Sequence, residues 1–258
     1  MPLRVLMIGD IVGKLGRRSV ATLLPEIKRT HSVDLVLANG ENVAGGRGLT
    51  PATADELYES GVDIITSGNH IWENREIYPA LDGERPIVRP LNYPEGTPGR
   101  GVYTRDGIAV INVMGRTFMG MHLDCPFRAM DQALGDLSDY SVIIVDVHAE
   151  ATSEKIGMGY YLDGRVSAVV GTHTHVPTAD TRILPKGTAY VSDVGMVGGL
   201  HSVLGMAIEP VIERFLTQLP NRFDPVDRGP AAFNSVLIQI DRQTGRAVSI
   251  ERLDREVA

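Results

Sequence analysis

Five apolar runs in this chain stop at residues that carry lone pairs. "RVLMIG" (4–9) is followed by Asp10, "DLVLA" (34–38) by Glu41 and Asn42, and "DIIT" (63–66) by Asn69 and His70. "SVIIVDV" (141–147) is followed by His148, and "SAVVG" (167–171) by His173 and His175. Carboxylate, carboxamide and imidazole are the donors that Mn, Fe and Zn ions accept. If residues 171–175 stay extended, His173 and His175 project to the same side and can reach one metal or two neighbouring ones. Glu41 and Asn42 are adjacent and would diverge in a strand. Both can serve one site only from a turn, and the glycines of "NGENVAGGRG" supply turn chemistry. Asp10, Glu41, Asn42, Asn69, His148, His173 and His175 are more donors than one tetrahedral zinc needs. They suit two cations sharing a carboxylate, with Glu41 as the bridge.

Each residue taken singly has a plainer reading. An aspartate after a strand is ordinarily a turn or helix-capping residue, "GNH" can be a turn with a surface histidine, and a lone HxH pair decides nothing. It is the coincidence at five strand ends that points to a metal site. His31 ends a helical pattern, and His122 and His201 lie in loops, so these three read as structural or solvated. "GDIVGKLG" is not a phosphate loop, because Ile8 stands where the first glycine belongs and Leu15 where Ser or Thr should follow Lys14. Cys125, the single cysteine, has no flanking signature and reads as a packing residue; it permits neither an intramolecular disulfide nor a cysteine zinc site.

The elements that must position these donors are legible as a pattern. Continuous Val/Ile/Leu runs are what strands covered on both faces look like. Between them, helices are expected over 17–31, 50–61 and 126–137, the second with Thr50 as N-cap and Pro51 at its first position. A hairpin is expected over 101–113 around Asp106-Gly107. Further on come a strand over 188–195, a helix over 205–219 and a closing hairpin over 233–254, whose alternating strands read as a sheet edge. The 258 residues, 43% hydrophobic and 22% charged, with no repeat or dividing linker, read as one α/β domain over 1–258. The apolar start is too short for a signal peptide and no run reaches the length of a membrane span, so the expectation is a cytoplasmic protein without a membrane partner. A net charge of -7 and 5% aromatic residues disfavour a stable nucleic-acid complex but not a small anion held by metal.

The donors also resemble, in order, those of the calcineurin-like metallophosphoesterases. The longer strings "MIGDIVGKLGR", "ANGENVAGGRGLT", "TSGNHIW", "DVHAEATSEK", "GTHTHVPTAD" and "SDVGMVG" resemble one bacterial subfamily, the YmdB-type phosphodiesterases. The resemblance spans residue 3 to about 210 and implies a layered α/β/β/α sandwich. It implies that Asp10, Glu41, Asn42 and His175 hold one metal, and Glu41, Asn69, His148 and His173 the other. The superfamily's D-x-H has Val12 in place of its histidine here. That leaves a harder, more oxygen-rich site, which leans toward Mn or Fe over Zn. The implied reaction is in-line attack of a metal-bridging hydroxide on phosphorus, with Glu41 bridging and His70 stabilising the transition state or protonating the leaving alkoxide. The implied substrate is a small phosphoester, a 2',3'-cyclic nucleotide.

Other roles stay open in the sequence. Asp193 can orient a histidine or turn the chain, Glu150 and Thr152 can do the same or cap a helix, and Arg47 and Arg116 can meet a phosphate or sit at the surface. A broad phosphomonoesterase or nucleotidase, and a metal-binding regulatory protein with little turnover, are the competing functions. The closing hairpin and the segment 194–206 can bury against a second copy as a homodimer, or be core.

Overall fold

The apolar runs form strands, and helices or second strands cover both faces of each. The computed structural model describes residues 2–258. The chain begins with β1 (Leu3–Ile8), β2 (Asp10–Ile11), α1 (Gly13–His31), β3 (Leu35–Asn39), α2 (Pro51–Glu59), β4 (Ile64–Thr66), α3 (Tyr78–Leu81) and β5 (Ile87–Val88). It continues through β6 (Val102–Arg105), β7 (Ile108–Met114), α4 (Pro126–Asp136), β8 (Val142–His148), α5 (Thr152–Leu162), β9 (Ala168–Thr172), β10 (Arg182–Ile183) and β11 (Ala189–Val191). The last elements are β12 (Met196–Gly199), α6 (Ile208–Thr217), β13 (Ala231–Phe233), β14 (Ser235–Ile240), β15 (Ala247–Arg252) and β16 (Arg255–Val257).

Two six-stranded mixed sheets, ordered β15-β14-β1-β3-β4-β5 and β10-β11-β9-β8-β7-β6, pack face to face. Successive side chains explain the layering, since strand residues alternate between faces. Leu3, Val5 and Met7 of β1 meet Ile144 of β8 and Val170 of β9 between the sheets. Leu6 and Ile8 of β1 point outward into a core shared with Val20 and Leu24 of α1 and Leu57 of α2. Val145 and Val147 of β8 point outward on the other side, toward Met130 of α4 and Met158 of α5. The result is the α/β/β/α sandwich. Within it β1, β3 and β4 run parallel in one sheet and β7, β8 and β9 in the other, so the carboxyl ends of both sets lie at one edge. A smaller third sheet, β16-β13-β12-β2, was not foreshadowed by the sequence pattern; it fastens Asp10 through pairing with Met196.

Local signals hold in several places. Thr50 Oγ1 accepts from the Thr53 amide and starts α2, and Asp106 and Gly107, both at positive φ, turn β6 into β7. Two expectations change. α1 begins at Gly13, not at residue 17, and runs through Pro25. The closing hairpin is not an edge as a whole, because β14 lies between β15 and β1 and only β15 is outermost. In the segment 194–206, Val194 and Val197 are core while Leu204 is exposed; Phe215, Leu216 and Leu219, on or just beyond α6, are the larger exposed apolar side chains nearby. Among the described residues no helix is long and apolar enough to cross a membrane.

Candidate metal centre

The donors predicted from the strand ends meet where the two sheets' carboxyl edges face each other. Asp10 follows β1, Glu41 and Asn42 sit in the turn after β3, and Asn69 in the turn after β4. His148 ends β8 and His173 follows β9. Gly68 lets these parts close up, because a methyl group there would overlap both the His148 ring and the Glu41 carboxylate. Ligand atoms of Glu41, His148 and His173 lie within 4.8 Å of one another.

Around His148 too many lone pairs converge on one hydrogen. Its Nε2 lies 3.1 Å from Glu41 Oε1, 3.0 Å from Asn69 Oδ1 and 3.1 Å from His173 Nδ1. A single N–H cannot serve three acceptors well, whereas a cation can. The remaining half of the constellation is joined through Asn42, whose amide nitrogen lies 3.2 Å from Glu41 Oε1 and 3.3 Å from His175 Nε2. His175 Nε2 is 3.8 Å from Asp10 Oδ1. That oxygen is buried and has no hydrogen-bond partner, an expensive arrangement that a positive ion would relieve. The donor set therefore fits cations, by the orphaned oxygen and by the crowding at His148.

Each histidine has its far nitrogen tied, which selects the nitrogen left for a ligand role. His148 Nδ1 donates to Thr172 Oγ1 at 2.9 Å, and that hydroxyl donates to Asp146 Oδ1 at 2.7 Å. His173 Nε2 meets Glu150 Oε2 at 3.0 Å, and His175 Nδ1 donates to the Leu204 carbonyl at 3.0 Å. Asp146 is itself buried and held by Thr66 Oγ1 at 2.5 Å and Asn39 Nδ2 at 3.3 Å. Burial raises its pKa against the pull of His148 and these hydrogen bonds.

In the metal-free protein, protons occupy the place of missing positive charge. Burial pushes the Asp10 carboxyl up to about 7, against the pull of His175 and His148. Burial also disfavours a charged Glu41, yet the adjoining His148 ring outweighs it and holds that carboxyl down at about 2. Burial likewise opposes charge on His148, and the Glu41 carboxylate overcomes it, raising the ring to about 9. Burial and the neighbouring His148 drive His173 down to about 3, so its ring is neutral with a lone pair to offer.

One geometric expectation fails. Residues 171–175 are not extended to the end: the strand stops at Thr172, and His173 (φ 99°) and His175 (φ 64°) take positive φ. Such a turn is strained for residues with side chains and needs holding. Asp193 holds it, accepting from Thr174 N at 3.1 Å and Thr174 Oγ1 at 2.7 Å. Asp193 thus orients the two histidines through the residue between them, without touching either. Its charge is met by the buried Lys155, whose Nζ donates to Asp193 Oδ2 at 2.7 Å and to the Thr172 carbonyl at 2.9 Å. Glu150 contacts His173, while Thr152 opens α5 with no side-chain cap. Arg47 and Arg116 are exposed, with no guanidinium partner among the described residues. His70 donates its backbone N–H to Glu41 Oε2 at 3.1 Å, and its ring Nδ1 meets Glu73 Oε1 at 3.2 Å, leaving Nε2 uncommitted. Asp146, Thr172, Asn39, Thr66 and Lys155 were missed in the sequence. The signal for two of them was there: a carboxylate inside "VIIVDV", and a lysine in a helix that follows His148.

A family model described as YmdB-like protein matches residues 6–253. The chain is 49% identical over 256 residues to the "2',3'-cyclic-nucleotide 2'-phosphodiesterase" of Bacillus subtilis, covering 97% of this chain and 96% of that one. Its structure is similar to that of a hypothetical protein from Thermus thermophilus, with a TM-score of 0.92, 46% identity, and 99% and 100% of the two chains covered. It is also similar to a novel phosphatase from Mycoplasma pneumoniae, with a TM-score of 0.93, 33% identity, and 99% and 94% covered.

Proposed function

The chain belongs to the YmdB-like family, and we propose that it is a metal-dependent phosphodiesterase that opens 2',3'-cyclic nucleotides. The observation that carries the reading is His148 Nε2, crowded by Glu41, Asn69 and His173, beside an Asp10 oxygen without a partner. Asp10, Asn42 and His175 would hold one cation, and Asn69, His148 and His173 a second, with Glu41 reaching both. The mixture of carboxylate, carboxamide and imidazole favours Mn or Fe over Zn. When bound, two such cations neutralise phosphate charge and make a nucleophile available near neutral pH.

The chain's own residues supply the remaining work. Thr172, Glu150 and the Leu204 carbonyl fix the three imidazoles in one tautomer each. The His70 backbone steadies Glu41, while Glu73 occupies ring Nδ1 and leaves Nε2 to meet the ribose oxygen that departs.

The test is hydrolysis of 2',3'-cAMP by metal-stripped protein with and without added Mn²⁺. Turnover only with metal, releasing 3'-AMP, is expected; that isomer is left when the bond to the 2' oxygen breaks. No turnover with metal supplied refutes the substrate. Full metal content with activity lowered about 10²–10⁴-fold is expected of His70→Ala. Unchanged activity in that variant removes His70 from the chemistry.

A further inference from the structure

A large cavity, about 1040 Å³, lies on the β7 side of the strands that carry the metal centre and is used by nothing described so far. It sits between the segment around Tyr93, the loop that carries Arg116, and α4. Its inner end is anchored to the strand pair that carries His148. Asn92 Nδ2 donates to the Met114 carbonyl at 2.8 Å, its Oδ1 accepts from the Met114 amide at 2.9 Å, and Met114 pairs with His148 in the β7–β8 register. Paired strands lie about 4.8 Å apart, so the Asn92 segment, bonded to β7, lies about two strand spacings from His148 on β8. Tyr93 makes a second link, its ring set edge-on at 5.3 Å from Trp72, two residues beyond His70.

Resting on the phosphodiesterase reading, we propose that this cavity is the subsite for the nucleoside part of the substrate, with Arg116 meeting the phosphate side. At the upper end of the roughly 300–1,000 Å³ usual for small-molecule sites, it has room for a base and ribose. Its chemistry suits a flat group with polar edges. Tyr93 offers an aromatic wall, and α4 offers Ala129 and Ala133, whose small side chains leave space. Arg128 and Gln132, four residues apart on one face of α4, lack side-chain hydrogen bonds among the described residues and can pair with a base edge. The wall does not give way easily, because Arg89 ties its loop through bonds to the carbonyls of Pro90, Thr97 and Pro98. Glu95, Asp124 and Asp136 also face the cavity. These acids oppose a longer polyanion, so the subsite takes one nucleoside and not an RNA chain.

The measurement compares kcat/KM for 2',3'-cAMP with that for bis(p-nitrophenyl) phosphate, a diester without a nucleoside, using Mn²⁺-loaded enzyme. Gln132→Trp narrows the cavity from an exposed helix position, and Arg116→Ala removes the charge at its rim. For Gln132→Trp the nucleotide-to-chromogen ratio is expected to fall about tenfold or more, chiefly through KM, whereas Arg116→Ala is expected to lower kcat/KM for both diesters alike. An unchanged ratio in Gln132→Trp, in protein that melts as wild type does, overturns the subsite, and unchanged rates in Arg116→Ala remove Arg116 from it. If wild type cleaves the chromogen but no cyclic nucleotide, it is the substrate reading that has failed. Adenosine then decides the cavity: inhibition of chromogen hydrolysis that Gln132→Trp relieves sustains it, and no inhibition of wild type refutes it.

Discussion

Around His148 the far nitrogen of the ring runs through Thr172 to Asp146, and the near one faces three acceptors. Around Asp10 one buried oxygen has no hydrogen-bond partner, and a histidine nitrogen stands 3.8 Å away. The two ends of the centre thus hold their charges differently. The His148 end closes on itself as a buried imidazolium–carboxylate pair with Glu41. The Asp10 end keeps its carboxyl toward the protonated form. A proton can stand in for a metal where an imidazole and a carboxylate are already in contact; it cannot span the wider gap at Asp10.

Glu41→Gln breaks both ends at once and carries the largest expected effect. It keeps the shape but removes the charge that each end shares. The variant is expected to lose more than about 10³-fold in kcat/KM, and metal analysis should find the bound content reduced at both ends. Retention of full metal content with near-normal rate would show that Glu41 is a structural residue.

Lys155→Met tests whether the turn carrying His173 and His175 depends on a charge buried behind it. Removing one partner of a buried pair strands the other, and the expected loss is about 3–5 kcal/mol in denaturant unfolding. Adding Asp193→Asn should recover part of it, since the stranded charge goes too. Both variants should bind metal more weakly, because Asp193 fixes Thr174 between His173 and His175.

pH separates the two ends. In the metal-free protein His148 keeps its proton to about 9, above the ordinary 6.5, so its pairing stabilises the fold fully below 6.5 and ceases to as pH rises through about 9. Burial of Asp10 costs stability that builds up as pH rises from the ordinary 3.8 to about 7 and stays constant above it. Metal-free protein should therefore melt at progressively lower temperature as pH climbs from 6.5 to about 9. Glu41 acts the other way, and its contribution is lost only as pH falls through about 2. Mn²⁺ must displace the two protons, so its affinity should rise about tenfold per pH unit between 7 and 9, more steeply below 7, and level off above 9. A flat affinity across that range would mean that the ring and the carboxyl do not change protonation on binding.

The convergence of the donors was legible and their support was not, for a physical reason. Parallel strands bring their carboxyl ends to one edge, so a donor just past an apolar run is already placed by topology. That is how Asp10, Glu41, Asn69, His148 and His173 could be read from the chain. Asp146 lies inside a run, and what it does depends on Thr66, Asn39 and Thr172 from three other strands that no local pattern connects. The stem of Lys155 passes over Gly171, where any side chain would overlap it and the Ser192 carbonyl as well. The turn at His173 and His175 was misread because alternation assumes an extended backbone, and Asp193, some twenty residues on, bends it. The edge reading of the closing hairpin failed similarly: a strand's pattern does not say which strand pairs on its far side, and β1 covers β14.

The finest test of the comparison is Thr172→Val, nearly the same in shape but without the hydroxyl. His148 Nδ1–H then faces a methyl group and Asp146 loses one of its donors, in a site sealed from water. Leaving such groups unpaired costs about 1–3 kcal/mol. If the hydroxyl serves to present Nε2 to a cation, metal affinity should fall about 10–100-fold at the His148 end. The Asp10 end, whose histidine is held by the Leu204 carbonyl instead, should keep its affinity. Stepwise metal titration followed by Mn²⁺ electron paramagnetic resonance would resolve the two. A parallel loss at both ends would mean that Thr172 supports the strand ends as a whole, while a loss confined to His148 ties the ring's orientation to the Asp146 relay.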